Sequence, residues 1–480
     1  RGYCGSLKPG DRLPAHGAAS VLFVPVERRY PMIRLTTRQA DVLMDKRLVV
    51  AIDGWEPDSM YPHGHYVRTL GTIGDRETET EVLLIENDII TSPFTPAVHA
   101  CVPPLPWSVS DSDRADPRRE DLRDLCVCSV DPPGCKDIDD ALHARPLPSG
   151  NLEVGVHIAD VTNFLPPGCA MDDEAQRRAT SVYLVERRID MLPKPLTEDI
   201  CSLRGGVERL AFSCIWEMTP DADIVSVRFT KSVIRSRAAL TYGEAQARID
   251  DARLNDELSA NLRELNRIGK ILRGRRAEAG ALQLASPEVK FKIDQQTQNP
   301  LDVGMYQVME TNQMVEELML LANISVAREI VKHFPSCSLL RRHPTPAPRQ
   351  FDPIVRAAAA AGFEIDVRSS KALAASLDGA VRPDDVYFNK LVRIMTTRCM
   401  TQAVYFGSGD LSASDYHHYG LASPIYTHFT SPIRRYADVV VHRLLAAAIG
   451  LAPLPGSARD RAGLRGVADN LNVRHHNAQM

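Results

Sequence analysis

The stretch Asp131-Pro-Pro-Gly-Cys-Lys-Asp137-Ile-Asp139-Asp140 packs four aspartates into ten residues between two apolar runs. The run before it, Leu125-Cys-Val-Cys-Ser-Val130, is apolar and β-branched, and the run after it, Leu152-Glu-Val-Gly-Val-His-Ile158, alternates with period two, so both predict strands. The acids then lie on a loop held by a sheet. Carboxylates this close repel one another unless positive charge sits among them, and hard divalent cations such as Mg²⁺ take just such oxygen ligands, with water and substrate phosphates completing the shell. Asp, Pro and Gly are also the ordinary material of solvated turns. Here Pro132-Pro133-Gly134 makes the turn unaided, and the later acids fall six, eight and nine positions after Asp131. A helix-flanked calcium loop would need acids at alternate positions and a distal Glu, and that frame is missing.

Other blocks keep this loop company. The loop with its flanks reads Ser129-Val-Asp-Pro-Pro-Gly-Cys-Lys-Asp-Ile-Asp-Asp-Ala-Leu-His143 and Val154-Gly-Val-His-Ile-Ala-Asp-Val-Thr162. Further along come Thr180-Ser-Val-Tyr-Leu184, Asp190-Met-Leu-Pro193, Cys201-Ser-Leu203, Glu278-Ala-Gly-Ala-Leu282, Met314-Val-Glu-Glu317, Leu340-Arg-Arg-His343 and Tyr426-Thr-His-Phe-Thr-Ser-Pro-Ile-Arg-Arg-Tyr436. In this order they resemble the ribonuclease II (RNB) family, most of all the eukaryotic branch that includes the catalytic subunit of the RNA exosome. The resemblance runs from residue 120 to the end of the chain.

The resemblance implies an α+β architecture, with an N-terminal OB/cold-shock-type β-barrel followed by a large mixed α/β RNB catalytic domain. The expected bounds are 1–95 for the RNA-binding barrel, 96–124 for an Asp-, Arg- and Pro-rich linker and 125–480 for the catalytic domain. The sequence itself supports a small barrel at the start: Val21-Leu-Phe-Val-Pro-Val26, Arg47-Leu-Val-Val-Ala-Ile52 and Val82-Leu-Leu-Ile85 read as short strands, with a helix-like insert near Arg38 to Asp45. Leu258, Leu262, Leu265, Ile268 and Leu272 mark an amphipathic helix, and a second long helical pattern runs from Met305 to His333.

By resemblance, Asp131, Asp137, Asp139 and Asp140 are catalytic and metal-binding, with Asp139 the acid whose loss most harms chemistry. The implied ion is Mg²⁺, with Mn²⁺ as an alternative. Ser431 and Pro432 look like an N-cap and first helical position, which would put Arg434 in a first turn, where an arginine can clamp phosphate oxygens. Spacing alone equally allows Arg434 to pair with Asp438 one turn on. The resemblance favours a catalytic role. Tyr183 reads from its neighbours as a core tyrosine, and from the family as the ring that stacks on the 3′-terminal base. One of Glu316 and Glu317 is expected to read the ribose hydroxyl that separates RNA from DNA. Arg341, His343 and Arg435 are further candidates for RNA contacts, a structural role for His343 being as good a reading. His157, alternating with core residues, is expected inside the sheet.

A net charge of −4 and a pI near 6.4 mean that any RNA site must be a local basic channel. The doublets Arg177-Arg178, Arg187-Arg188, Arg341-Arg342 and Arg434-Arg435, and Arg273-Gly-Arg-Arg276, could line one, although each alone reads as a solvated face. Ten cysteines show no CxxC and one CxC (Cys126, Cys128), giving neither zinc spacing nor a disulfide framework. No signal-peptide pattern and no apolar run near 18 residues is present, so no membrane partner is expected. A start at Arg1 suggests a fragment, and the PIN, first cold-shock and S1 modules of the resembled subunit are not seen.

The function these readings converge on is processive 3′-to-5′ hydrolysis of single-stranded RNA to nucleoside 5′-monophosphates by metal-ion catalysis. The expected partners are an RNA 3′ end and, in the full-length parent, the exosome core, with nuclear residence and a cytoplasmic pool also allowed. The rival from another class is a catalytically inactive RNB-type RNA-binding scaffold, against which the intact acids and Arg434 argue. A metal-dependent phosphodiesterase of small nucleotides is more distant, because it would not need the barrel.

Overall fold

In a computed structural model, residues 2–8, 17–284, 289–293, 300–305, 308–454 and 456–479 are described. They form two compact units, Arg1–Pro93 with Val473–Met480, and Phe94–Asn472.

The first unit is a closed five-stranded barrel. Its strands are β1 (Tyr3–Leu7), β2 (Ala19–Pro25), β3 (Ile33–Thr37), β4 (Lys46–Gly54) and β5 (His63–Thr72), in the order β1-β2-β3-β5-β4. Along β2 the burial alternates, as period-two patterning requires, and sends Val21 and Phe23 into a core shared with Leu7, Ile33, Leu35, Leu48 and Val50. Register shifts between β4 and β5 supply the bends that closure needs. One expected strand is instead helical: Val82–Ile85 belongs to the helix Arg76–Glu86. Asp75 caps that helix by accepting from the Thr78 N–H, and Val82 and Leu84 are buried while Leu83 is exposed. The short helix Ala40–Leu43 lies inside the stretch read as a helical insert.

The second unit is built on a seven-stranded sheet. Its strands are β6 (Arg119–Asp121), β7 (Cys128–Asp131), β8 (Asp140–Pro146) and β9 (Leu152–Ala159), then, after a small hairpin of β10 (Val182–Tyr183) and β11 (Arg188–Ile189), β12 (Glu208–Met218), β13 (Ile224–Arg235) and β14 (Ala238–Thr241). The order is β14-β7-β8-β9-β12-β13-β6, with antiparallel pairing inside and parallel pairs at the two edges. Residues 119–121, within the expected linker, thus form an edge strand. All eight residues of β9 are buried, so its alternation marks two covered faces.

Covering the sheet are the helices Glu257–Glu278 and Glu310–His333, which approach closely at Gly269, where a Cβ would lie 3.1 Å from the Met314 Cα. Trp216 on β12 donates its indole N–H to Ser325 on the second helix at 3.1 Å. The helix Tyr436–Ala448 is buried over most of its length, and His442 contacts the Phe429 carbonyl at 2.7 Å while stacking on the Phe429 ring. His157 is fully buried and sits in a hydrogen-bonded row that crosses four strands: His143 Nδ1 at 2.8 Å, then Ser213 Oγ at 2.7 Å, then Ser232 Oγ at 2.7 Å. All ten cysteines are free thiols. Among the described residues no helix is long and apolar enough to cross a membrane.

Candidate active site

Asp131 ends β7 and Asp140 opens β8, so the acidic loop is the turn between two paired strands of the sheet. Gly134 takes a φ of +81° in that turn, a conformation other L-residues rarely adopt. Asp139 is buried, and Asp131 and Asp140 are half-buried beside it. Burial pushes the Asp131 carboxyl up to about 6, with Asp137 adding to the rise, and its Oδ2 is a buried oxygen without a hydrogen-bond partner. Asp139 is pushed by burial up to about 7 against the pull of Arg434. Asp140 is raised well above the usual carboxylate range by burial and then by its neighbours Asp131 and Asp139.

The fourth acid is held differently. Asp137 receives the Arg188 guanidinium on Oδ1, at 2.5 Å from Nη1, and the Tyr183 hydroxyl on Oδ2 at 3.1 Å. Arg188 faces Tyr183 in the register of the β10–β11 hairpin, which places both side chains over the loop.

From the far end of the chain comes the other wall. The Ile433 N–H donates to Asp139 Oδ1 at 2.9 Å, and Arg434 Nε lies 3.6 Å from Asp139 Oδ2. The expected helix start at Ser431-Pro432 is corrected: the helix begins at Tyr436, with Arg435 extended at its N-cap, and Arg434 lies in the turn before it. The cause is a distant segment. Ser181 N–H donates to the Arg434 carbonyl at 2.9 Å and Thr180 bridges Arg435, which draws the backbone out of helical geometry. Asp438 is taken by Arg435, whose Nε and Nη2 each reach it at 2.7 Å, and also accepts the Ser431 N–H at 2.7 Å. Arg434 keeps a light contact with Ser431 Oγ at 3.1 Å and its side chain stays 44% exposed. The cation with reach is Arg434, and Arg435 is turned inward.

Tyr183 is no core tyrosine, since 54% of it is exposed beside the acids. Glu317 is buried and gripped by Arg276, with Nε 3.1 Å from both carboxylate oxygens and Nη2 at 2.5 Å, while the more exposed Glu316 takes the same guanidinium at 3.2 Å. A cavity of about 250 Å³ opens beside Glu317, lined by Arg275, Arg276 and Arg328 over Leu272, Leu320 and Ile324. Arg341 is mostly buried, its guanidinium 4.7 Å from the Tyr405 ring centroid. His343 is buried against His418 and Tyr419 and accepts the Gly420 N–H on Nδ1 at 3.1 Å, the structural alternative allowed for it.

Hard carboxylate oxygens, mutual repulsion and the partnerless Asp131 Oδ2 fit a divalent cation. Among the described residues no group of three or more His, Cys, Asp or Glu is arranged ready-made to hold a metal. Sequence reasoning missed Arg188 and Arg276 as site residues, noting them only as parts of basic runs. The hairpin signal was available for Arg188: Tyr183-Leu-Val-Glu-Arg-Arg188 is short enough to bring its ends face to face. For Arg276 no local pattern points to Glu317, its partner on another helix.

Comparison with known proteins identifies the family and the fold. A family model described as RNB domain matches residues 119–450, and one described as Dis3-like cold-shock domain 2 matches residues 20–88. The chain is 66% identical over 480 residues to the Arabidopsis thaliana protein named exosome complex exonuclease RRP44 homolog A, covering all of this chain and 51% of that protein. It is 55% identical over 479 residues to the Homo sapiens exosome complex exonuclease RRP44, covering 49% of it. The chain therefore spans about half the length of these curated relatives. Among solved structures, the apo form of Mycoplasma genitalium RNase R superposes with a TM-score of 0.84 at 22% identity, over all of this chain and 74% of that one. Yeast Ssd1, a pseudonuclease, reaches 0.79 at 23% identity, over all of this chain and 58% of that one. At these identities the likeness shows the fold alone, so the chemistry rests on the side chains.

Proposed function

We propose, from the premise that this chain belongs to the RNB-domain family, that it hydrolyses single-stranded RNA from the 3′ end, processively, to nucleoside 5′-monophosphates. The observation that carries this reading is the junction of the acidic loop with Ile433 and Arg434, residues 294 positions away from Asp139 in the case of Ile433. It brings metal-type ligands and a solvent-reaching guanidinium to one point, the pairing that phosphodiester cleavage requires.

In this mechanism Asp131, Asp139 and Asp140, joined by Asp137, would hold the divalent cation, for which we take Mg²⁺ or Mn²⁺. When bound, such an ion supplies an activated water and neutralises charge on the leaving oxygen. Arg434, placed by Ser431 and by the backbone bridge to Thr180–Ser181, would clamp a phosphate oxygen as negative charge grows on it. The exposed Tyr183 ring offers a stacking platform at the terminal base, and stacking tolerates any sequence. Glu317, buried and fixed by Arg276, and the more exposed Glu316 beside it are the two candidates for reading a ribose hydroxyl. In the parent protein we place this activity in RNA processing and decay with the exosome, in the nucleus.

The test is degradation of 5′-labelled single-stranded RNA with and without Mg²⁺. Asp139→Asn should leave RNA binding within about twofold, because a lone buried carboxylate adds little to backbone affinity, and should abolish hydrolysis. A chain that binds RNA yet never cuts it, with all four aspartates intact, would instead support the scaffold reading.

A further inference from the structure

We propose that Arg188 is a positioning residue for Asp137: it serves as the internal counter-cation of this carboxylate and must surrender Oδ1 to an entering divalent ion. The proposal rests on the metal-site reading above.

The argument starts from how unequal the four acids are. Asp131 Oδ2 has no partner, Asp139 has one N–H and a guanidinium at 3.6 Å, and Asp140 is pressed by two neighbouring carboxylates. Asp137 alone has both oxygens engaged by side chains, Oδ1 by Arg188 and by the Cys135 thiol at 3.8 Å, and Oδ2 by Tyr183. With two donors already on Oδ1, an entering cation must displace one of them, and the guanidinium is the one whose positive charge opposes it.

Arg188 is built for that exchange. Its side chain is 17% exposed and lies among three carboxylates: Nη1 on Asp137, Nε on Asp190, and Nη2 on Glu198 at 3.1 Å. When Asp137 turns to a metal, Arg188 keeps two anionic partners on its own side of the cleft, so no charge is left stranded. One positive charge among three negative ones also leaves a field that attracts a cation. The exchange gives a reason why the acids are not pre-closed around an ion, and it links metal entry to Tyr183, which shares the same carboxylate.

The test is Mn²⁺ binding without RNA, by calorimetry and by loss of the free-ion electron paramagnetic resonance signal, on the 480-residue chain. Arg188→Met should tighten Mn²⁺ by about fivefold, the scale of removing one competing charge in a partly solvated cleft. Arg188→Lys should stay near the parent. Glu198→Gln, which takes away one of the refuges of Arg188, should weaken Mn²⁺ and serves as the second variant should Arg188→Met fail to fold. In an Asp137→Asn background the Arg188→Met effect should vanish, because the coupling runs through that carboxylate. Unchanged or weaker binding by folded Arg188→Met, or an equal effect in the Asp137→Asn background, overturns the proposal while leaving the metal site standing. Absence of Mn²⁺ binding by the parent, or binding that survives Asp139→Asn undiminished, overturns both.

Discussion

To hold a cation as proposed, Asp139 would have to be charged in a place that resists charge. Burial lifts its carboxyl to about 7, far above the value near 3.9 of an unfolded chain, so the folded protein holds this proton more tightly. The contribution to stability is therefore full below the unfolded value and is lost as pH rises toward the folded one. Asp139→Asn should accordingly raise the thermal midpoint of the metal-free protein at pH 8, and the gain should shrink steadily toward pH 5. Differential scanning calorimetry across that range decides it. The amide keeps an oxygen for the Ile433 N–H, so folding is spared while the charge is gone. Tyr183 admits a finer separation. Tyr183→Ala should alter the length of the limit product on a denaturing gel, whereas Tyr183→Phe keeps the ring and should preserve it, stacking being worth about 1 to 3 kcal/mol per base. The spacing of the aspartates was legible because carboxylates and turn residues have local meaning. That Asp137 differs from the other three was not, because its partners enter from a hairpin some fifty residues on.

At the scale of elements, the helix Tyr436–Ala448 shows where local signals stop. Ser-Pro at 431–432 carries the marks of a helix start, yet Arg435 is held extended by Thr180, on a segment no local rule can see. The misread Val82–Ile85 is the converse, a β-branched and leucine-rich run overruled by the capped helix-forming stretch before it. Asp438 is the hinge of the first arrangement: fully buried, it is paired twice with Arg435 and accepts the Ser431 N–H. Removing one partner of a buried pair leaves the other charge stranded, so Asp438→Ala should cost about 3 to 5 kcal/mol in urea unfolding. It should also lower turnover in whatever fraction stays folded, because the turn carrying Arg434 loses its anchor.

For the whole molecule, the order of barrel and mixed α/β unit was legible from texture and from motif order, while the edge strand inside residues 96–124 was hidden by its Asp, Arg and Pro content. The barrel exposes Trp55 and Tyr66, with Arg68 on the same strand as Tyr66. Trp55→Ala should weaken binding of a long single strand by about tenfold, within the stacking range, and leave the limit product unchanged. Fluorescence anisotropy beside a product gel separates the two effects. The junction of Asp139 with Ile433 also orders the making of the cleft. As the chain is made, the four aspartates precede the segment that completes the cleft, with Ile433 following Asp139 by 294 residues. Until then the acids lack Ile433 and Arg434 beside them, so the cleft can close only after synthesis has passed residue 434.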